Sequence, residues 1–116
     1  MTILFGTLGF RPEALIPMIK ATPDVDKVVF YHGSHASSMK ARSEICSYCE
    51  SLGIVAVPNK VDDEFDFLHV AEKMRNDVRR YRKEGAEIAC FNIAGGTKLM
   101  SSAALLISWM LLAVFP

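Results

Sequence analysis

The sequence predicts an α/β fold, a parallel sheet with helices on both faces. Three observations lead there. Short apolar runs alternate with segments of helical period, in the order β-α-β-α-β-α-β-α. Three of the strands run into polar turns that carry glycine, each followed by a helix. The composition, 116 residues with 51% hydrophobic and 22% charged side chains, describes one globular domain over residues 1–116 with a single core. Parallel neighbours then require right-handed crossovers through the helices.

The first run, Thr2-Ile3-Leu4-Phe5, is a buried strand that leads into the glycine turn Gly6-Thr7-Leu8-Gly9. Pro12 and Glu13 suit a helix start. The spacing predicts a helix over 12–20 with Leu15, Ile16 and Ile19 inward, short or bent at Pro17. Val28 to Tyr31 form the second strand. After it, His32-Gly33-Ser34-His35-Ala36-Ser37-Ser38 is a polar loop ending in good helix caps. Met39, Ile45, Cys46, Cys49 and Leu52 mark the next helical stripe, and Gly53 closes it.

Ile54 to Val57 form the third strand, which Pro58-Asn59 should stop. Asp62, Asp63 and Glu64 open the longest helix, with Phe67, Leu68, Ala71, Met74, Val78 and Tyr81 on its apolar face. Its acidic start and basic end (Arg79, Arg80, Arg82, Lys83) match the helix dipole, and the basic end reads as a solvated face. Gly85 ends it, and the fourth strand begins at Ala86.

Thirteen basic residues balance thirteen acidic ones. This excludes general affinity for a nucleic-acid backbone, so any anion site must be local. Cys46, Cys49 and Cys90 are an odd set in a chain that shows no signal peptide, which leads us to expect a reducing, cytoplasmic setting. Cys46 and Cys49 have metal or redox spacing but lie inside a helix with no second pair. They read as small core residues, and neither a metal nor a cofactor is expected.

From residue 99 onward nearly every side chain is apolar. The length approaches a membrane span, yet no flanking basic anchor follows, and Thr97 and Lys98 tie its start to the sheet edge. We expect burial between the sheet and a second subunit, not insertion. The chain stops about where a fifth strand should begin, so Ala113-Val114-Phe115-Pro116 reads as the stub of a longer protein, and the sheet is expected to be cut short before its last strand or strands.

Residues 87–100 organise the rest: an apolar strand, the turn Ala94-Gly95-Gly96-Thr97, and a helix opening at Lys98. Paired glycines let backbone approach a ligand, and the helix aims free amides and a positive dipole end at it. Asn92 offers both a donor and an acceptor. Neither a Walker A motif nor a dinucleotide fingerprint fits the spacing. A plain strand-to-helix turn explains the glycines equally well when the turn is taken alone. In an open parallel sheet, however, ligands lie beyond the carboxyl ends of the strands. Three loops, spanning Thr7 to Arg11, His32 to Ser38 and Asn92 to Lys98, converge there.

Thr7-Leu8-Gly9-Phe10 and Asn92-Ile93-Ala94-Gly95-Gly96-Thr97-Lys98-Leu99-Met100 resemble the motifs of CRISPR-associated Rossmann-fold (CARF) domains. The second is similar to their N-x-T-G-G-T-K-x-M signature, with Ala94 where Thr is usual. The first is similar to the version in archaeal CRISPR transcription regulators. The resemblance implies a Rossmann-like fold and a homodimer that holds cyclic tetra- or hexa-adenylate across its two-fold axis as a sensor in type III CRISPR defence. By position, Thr7, Gly9, Phe10, Arg11, Asn92, Gly95, Gly96, Thr97 and Lys98 would bind the ligand. Ser34 and His35 join them through the loop argument alone.

Some members of that family are ring nucleases that need no metal, in which a ribose 2′-OH attacks the adjacent phosphate. In that case Lys98 or Arg11 would stabilise phosphoryl charge and His35 or Ser34 would assist proton transfer. Longer members carry a DNA-binding or RNase effector, fused or separate, that the ligand controls. The remaining alternative is a non-catalytic dimerisation module built on the apolar last helix.

Overall fold

The computed structural model describes residues 1–61, 66–93 and 95–114. Strands β1 (Thr2–Leu8), β2 (Lys27–His32), β3 (Val55–Lys60) and β4 (Glu87–Asn92) form one sheet in the order β3-β2-β1-β4. Every pairing is parallel. The helices are α1 (Ile16–Ala21), α2 (Ala36–Ser51), α3 (Phe67–Lys83) and α4 (Lys98–Val114). Strand order reverses at β1, which has β2 on one side and β4 on the other.

The period-2 rule explains the two cores. Ile3, Phe5, Val29 and Tyr31 project to one face and pack with Val70, Met74 and Val78 of α3 and with Met100, Ala103 and Ile107 of α4. Leu4, Leu8, Val28 and Phe30 project to the other and pack with Leu15, Ile19 of α1, and Ala41, Ile45 and Cys49 of α2. The α/β architecture with helices on both faces is therefore the one the sequence predicts.

Several local expectations change. The segment over 12–20 is not one helix: a 3-10 turn (Pro12–Ala14) precedes α1, and Pro17 sits within the first two positions of α1. There no donor is needed, so Pro17 starts the helix instead of bending it. Ile16 is only half-buried.

Pro58 does not stop β3, which runs on to Lys60. Val55 and Val61 point their N–H groups at β2, to Asp26 and His32 carbonyls. By the alternation of the ladder, position 58 faces outward from an edge strand, where the missing donor costs nothing.

On α2, Met39 and Leu52 are exposed, and the inward stripe is Ser38, Ala41, Ile45 and Cys49. On α3, Leu68 is 76% exposed. At 100° per residue it lies about 120° round the helix from the centre of the buried face. Asp66 caps α3 by accepting from the His69 amide (3.1 Å). The acidic stretch Asp62 to Glu64, expected to open this helix, lies outside the described residues, as do Ala94, Phe115 and Pro116. Ala113 and Val114 belong to α4.

One polar group enters the α3 stripe. Asp77 is buried and accepts a hydrogen bond from the Tyr31 hydroxyl (2.7 Å), flanked by Lys73 (3.7 Å) and Arg80 (3.6 Å). Burial, and then the Asp77 carboxylate, push the Tyr31 hydroxyl pKa well above the usual tyrosine range, so it stays a donor.

The cysteines behave as core groups. Cys49 is fully buried, and burial pushes its thiol up to about 11. Burial also raises Cys46 and Cys90. Among the described residues, no three His, Cys, Asp or Glu side chains are grouped to hold a metal ion. Nor is any described helix long and apolar enough to cross a membrane.

Candidate functional site

The carboxyl ends of β1 and β4 meet at the reversal of strand order, the place where an open parallel sheet leaves a crevice. The β1 loop and the loop from β4 to α4 pack directly on each other. A Cβ on Gly95 would fall on the Thr7 carbonyl oxygen, with the Gly9 nitrogen and Leu8 Cα each 3.2 Å away. Backbone is rigid here, so only glycine fits. Gly96 takes φ +82°, the left-handed region, and its nitrogen lies 3.1 Å from where a Gly9 Cβ would stand. The glycines thus serve close packing between loops as well as the turn itself.

Hydroxyls lock this joint. Thr7 is buried and its Oγ1 donates to the Gly95 carbonyl at 2.6 Å. Ser101 Oγ donates to the same carbonyl at 2.8 Å. Thr97 caps α4, its Oγ1 accepting from the Met100 amide (3.1 Å) while its carbonyl accepts from Ser101 (2.9 Å). Asn92, buried at the end of β4, donates from Nδ2 to the Ala14 carbonyl at 3.0 Å and so ties β4 to the turn before α1.

Above the joint lies an open cavity of about 480 Å³, lined by Leu8, Gly9, Phe10, Arg11, Ala14, Ser38, Gly95, Gly96 and Thr97. Of the residues singled out in the sequence, Gly9, Phe10, Arg11, Gly95, Gly96 and Thr97 line it. Thr7 and Asn92 stand beneath the lining as supports. Lys98 is exposed at the first residue of α4 and is not a lining residue. A cation at a helix N-terminus opposes the dipole by about 0.3–1 kcal/mol unless an anion lies between them.

Ser34 is exposed and lies outside the lining. His35 is also outside it: Nδ1 accepts from the Ser37 amide (3.0 Å) as the cap of α2. Its ring packs on Phe10 with centroids 4.6 Å apart and planes tilted 32°. Phe10, 61% exposed, presents an aromatic surface at the cavity rim.

The arrangement offers one guanidinium, glycine amides, a helix N-terminus and an exposed ring. These are groups that hold a phosphate and stack on a base.

Leu8, Ala14 and Ser38 line the cavity without having been singled out. Ser38 was legible in principle. Positions 38, 41, 45 and 49 form a helical stripe, and Ser38 is its one hydroxyl, at the loop end.

Below the β2 end, His32 is buried, with Nδ1 2.8 Å from the Gly33 carbonyl and Nε2 3.5 Å from Arg42. Burial lowers its pKa, and the Arg42 and Lys60 charges act the same way against the raising effect of the Gly33 bond. It is a neutral, structural histidine.

No protein-family model and no curated protein sequence matches the chain. Solved structures do share its fold. Can2 from Sulfobacillus thermosulfidooxidans, in complex with cyclic tetra-adenylate, superposes with a TM-score of 0.70 at 17% identity over 95% of this chain. A type III CRISPR defence DNA nuclease activated by cyclic oligoadenylate gives 0.72 at 13% identity over 90%. Protein VC1899 from Vibrio cholerae gives 0.77 at 14% identity over 94%. The likeness is one of fold, and that fold is the one the CARF resemblance implies. The chain spans 30%, 16% and 28% of those three proteins, respectively.

Proposed function

We propose that the chain binds a cyclic oligoadenylate at the cavity above the β1 and β4 ends, as a sensor domain of type III CRISPR defence. The observation that carries this reading is the cavity itself. Two interlocked glycine loops, Arg11 and the Thr97-capped start of α4 converge on one space, in a fold shared with proteins whose ligand or activator is of that class. Arg11 neutralises phosphate, the backbone amides of the glycine loops and of the α4 start donate to its oxygens, and Phe10 receives a base. Lys98 supplies a further cation next to the cavity as a ring-shaped anion settles on the helix end.

A ring of even number suits a two-fold dimer in which each subunit contributes one cavity. Support for pairing comes from the outer face of α4, where Trp109 is 65% and Leu105 55% exposed. The proposed role is sensing, with any effector fused to the domain or acting beside it.

Calorimetric titration of the chain with cyclic tri-, tetra- and hexa-adenylate tests the reading. Submicromolar binding of the tetra- or hexa-adenylate is expected, on the order of −8 kcal/mol or better. No heat with any ring would overturn it. Cleavage is the lesser reading, since the His35 nitrogen Nδ1 is committed to the α2 cap. Labelled cyclic tetra-adenylate incubated with the chain and EDTA is expected to stay intact.

A further inference from the structure

One cavity wall comes from neither glycine loop. Ser38, the third residue of α2, is 2% exposed and lines the cavity opposite in sequence to everything else around it. Its hydroxyl makes no hydrogen bond among the described residues. The side chain is enclosed but its oxygen opens on the cavity. Among the described residues the buried side-chain polar atom left without a partner is Arg75 Nε, so the Ser38 hydroxyl is a donor turned to the cavity and not a sealed one. The neighbouring Ser37 amide is already taken by His35, whereas an α-helix leaves its other first-turn amides without intrahelical acceptors. With sixteen residues behind it, the α2 N-terminus also carries a positive dipole end.

Donor, amides and dipole all ask for the same thing, an anionic oxygen. Resting on the ligand reading above, we infer that Ser38 and the first turn of α2 form a second phosphate-recognition wall, with the Ser38 hydroxyl donating to a phosphate oxygen of the bound nucleotide. The cavity then holds its ligand between two helix N-termini, those of α2 and α4, with Arg11 as the cation that lines it. His35 and Phe10, in tilted ring contact, hold the α2 turn against the β1 loop.

The role has a signature that a structural serine would not give. Ser38→Ala removes a hydroxyl that makes no hydrogen bond among the described residues and places a better helix former, so the free chain should melt at the same or a slightly higher temperature. The same change should weaken cyclic tetra-adenylate binding by about tenfold to a hundredfold. Ser38→Asp, which adds a negative charge to the wall, should weaken it further.

Titration of wild-type and Ser38→Ala chains with cyclic tetra-adenylate, cyclic hexa-adenylate and adenosine 5′-monophosphate, alongside thermal melting, separates the outcomes. Unchanged affinity in Ser38→Ala while the wild type binds would overturn the assignment and leave the ligand reading intact. A fall of several degrees in the free Ser38→Ala chain would make Ser38 a folding residue and also overturn it. A wild type that binds the monophosphate but neither ring, with Ser38→Ala losing that affinity, would overturn the ligand reading and leave the wall standing. Binding of none of the three would overturn both.

Discussion

Arg11 and Thr7 stand four residues apart and do different work. Arg11 is exposed and lines the cavity, so Arg11→Ala should leave stability within about 0.5 kcal/mol. It should lower ligand affinity by about tenfold or more, since a charge-assisted phosphate bond contributes about 1.5–3 kcal/mol; calorimetry with the variant checks both numbers against urea unfolding. Tyr31→Phe probes the opposite face. Removing the hydroxyl that donates to Asp77 at 2.7 Å leaves a buried carboxylate short of a partner, at a cost of about 1–3 kcal/mol in unfolding free energy with no effect on binding. His32 gives the pH dependence. Its folded pKa is depressed by burial, so the stability it contributes is complete above the ordinary histidine range and drains away as pH falls through the folded value. Melting temperature should therefore drop between pH 7 and pH 5, and His32→Gln should flatten that part of the profile.

At the scale of elements, the interlocked loops admit no side chain at position 95. Gly95→Ala would drive a methyl into the Thr7 carbonyl, and we expect a loss of about 1–3 kcal/mol together with loss of ligand binding, read by thermal shift and titration. The sequence carried the alternation of strands and helices, because period 2 and period 3.6 leave separate marks in apolar spacing. It carried the two glycine loops for the same local reason. It did not carry Pro58 inside β3, because an edge position and an outward-facing donor are properties of the sheet, not of the tripeptide. Leu68 was misplaced because its apolarity was read as burial, although helical spacing puts it well off the face that Val70, Met74, Val78 and Tyr81 bury. Thr7 and Asn92 could be assigned to the site but not to its floor, since only the fold shows which carbonyls consume their hydrogen bonds.

For the whole molecule, α4 has two unlike sides. Met100, Ala103, Ala104 and Ile107 are buried, while Leu105 and Trp109 face outward beside Leu106 and Met110. Sedimentation should show self-association that Trp109→Glu weakens, with melting temperature nearly unchanged. The far ends of the sequence also meet at one oxygen, the Gly95 carbonyl, which receives hydroxyls from Thr7 in the first strand and Ser101 in the last helix. Two donors on a single acceptor make a rivet with a spare. Thr7→Val or Ser101→Ala alone leaves the other holding, whereas losing both should cost clearly more than the sum of the two. Amide exchange along α4 would then quicken first near Met100, and a molecule that closes on itself through that oxygen would begin to open at its seam.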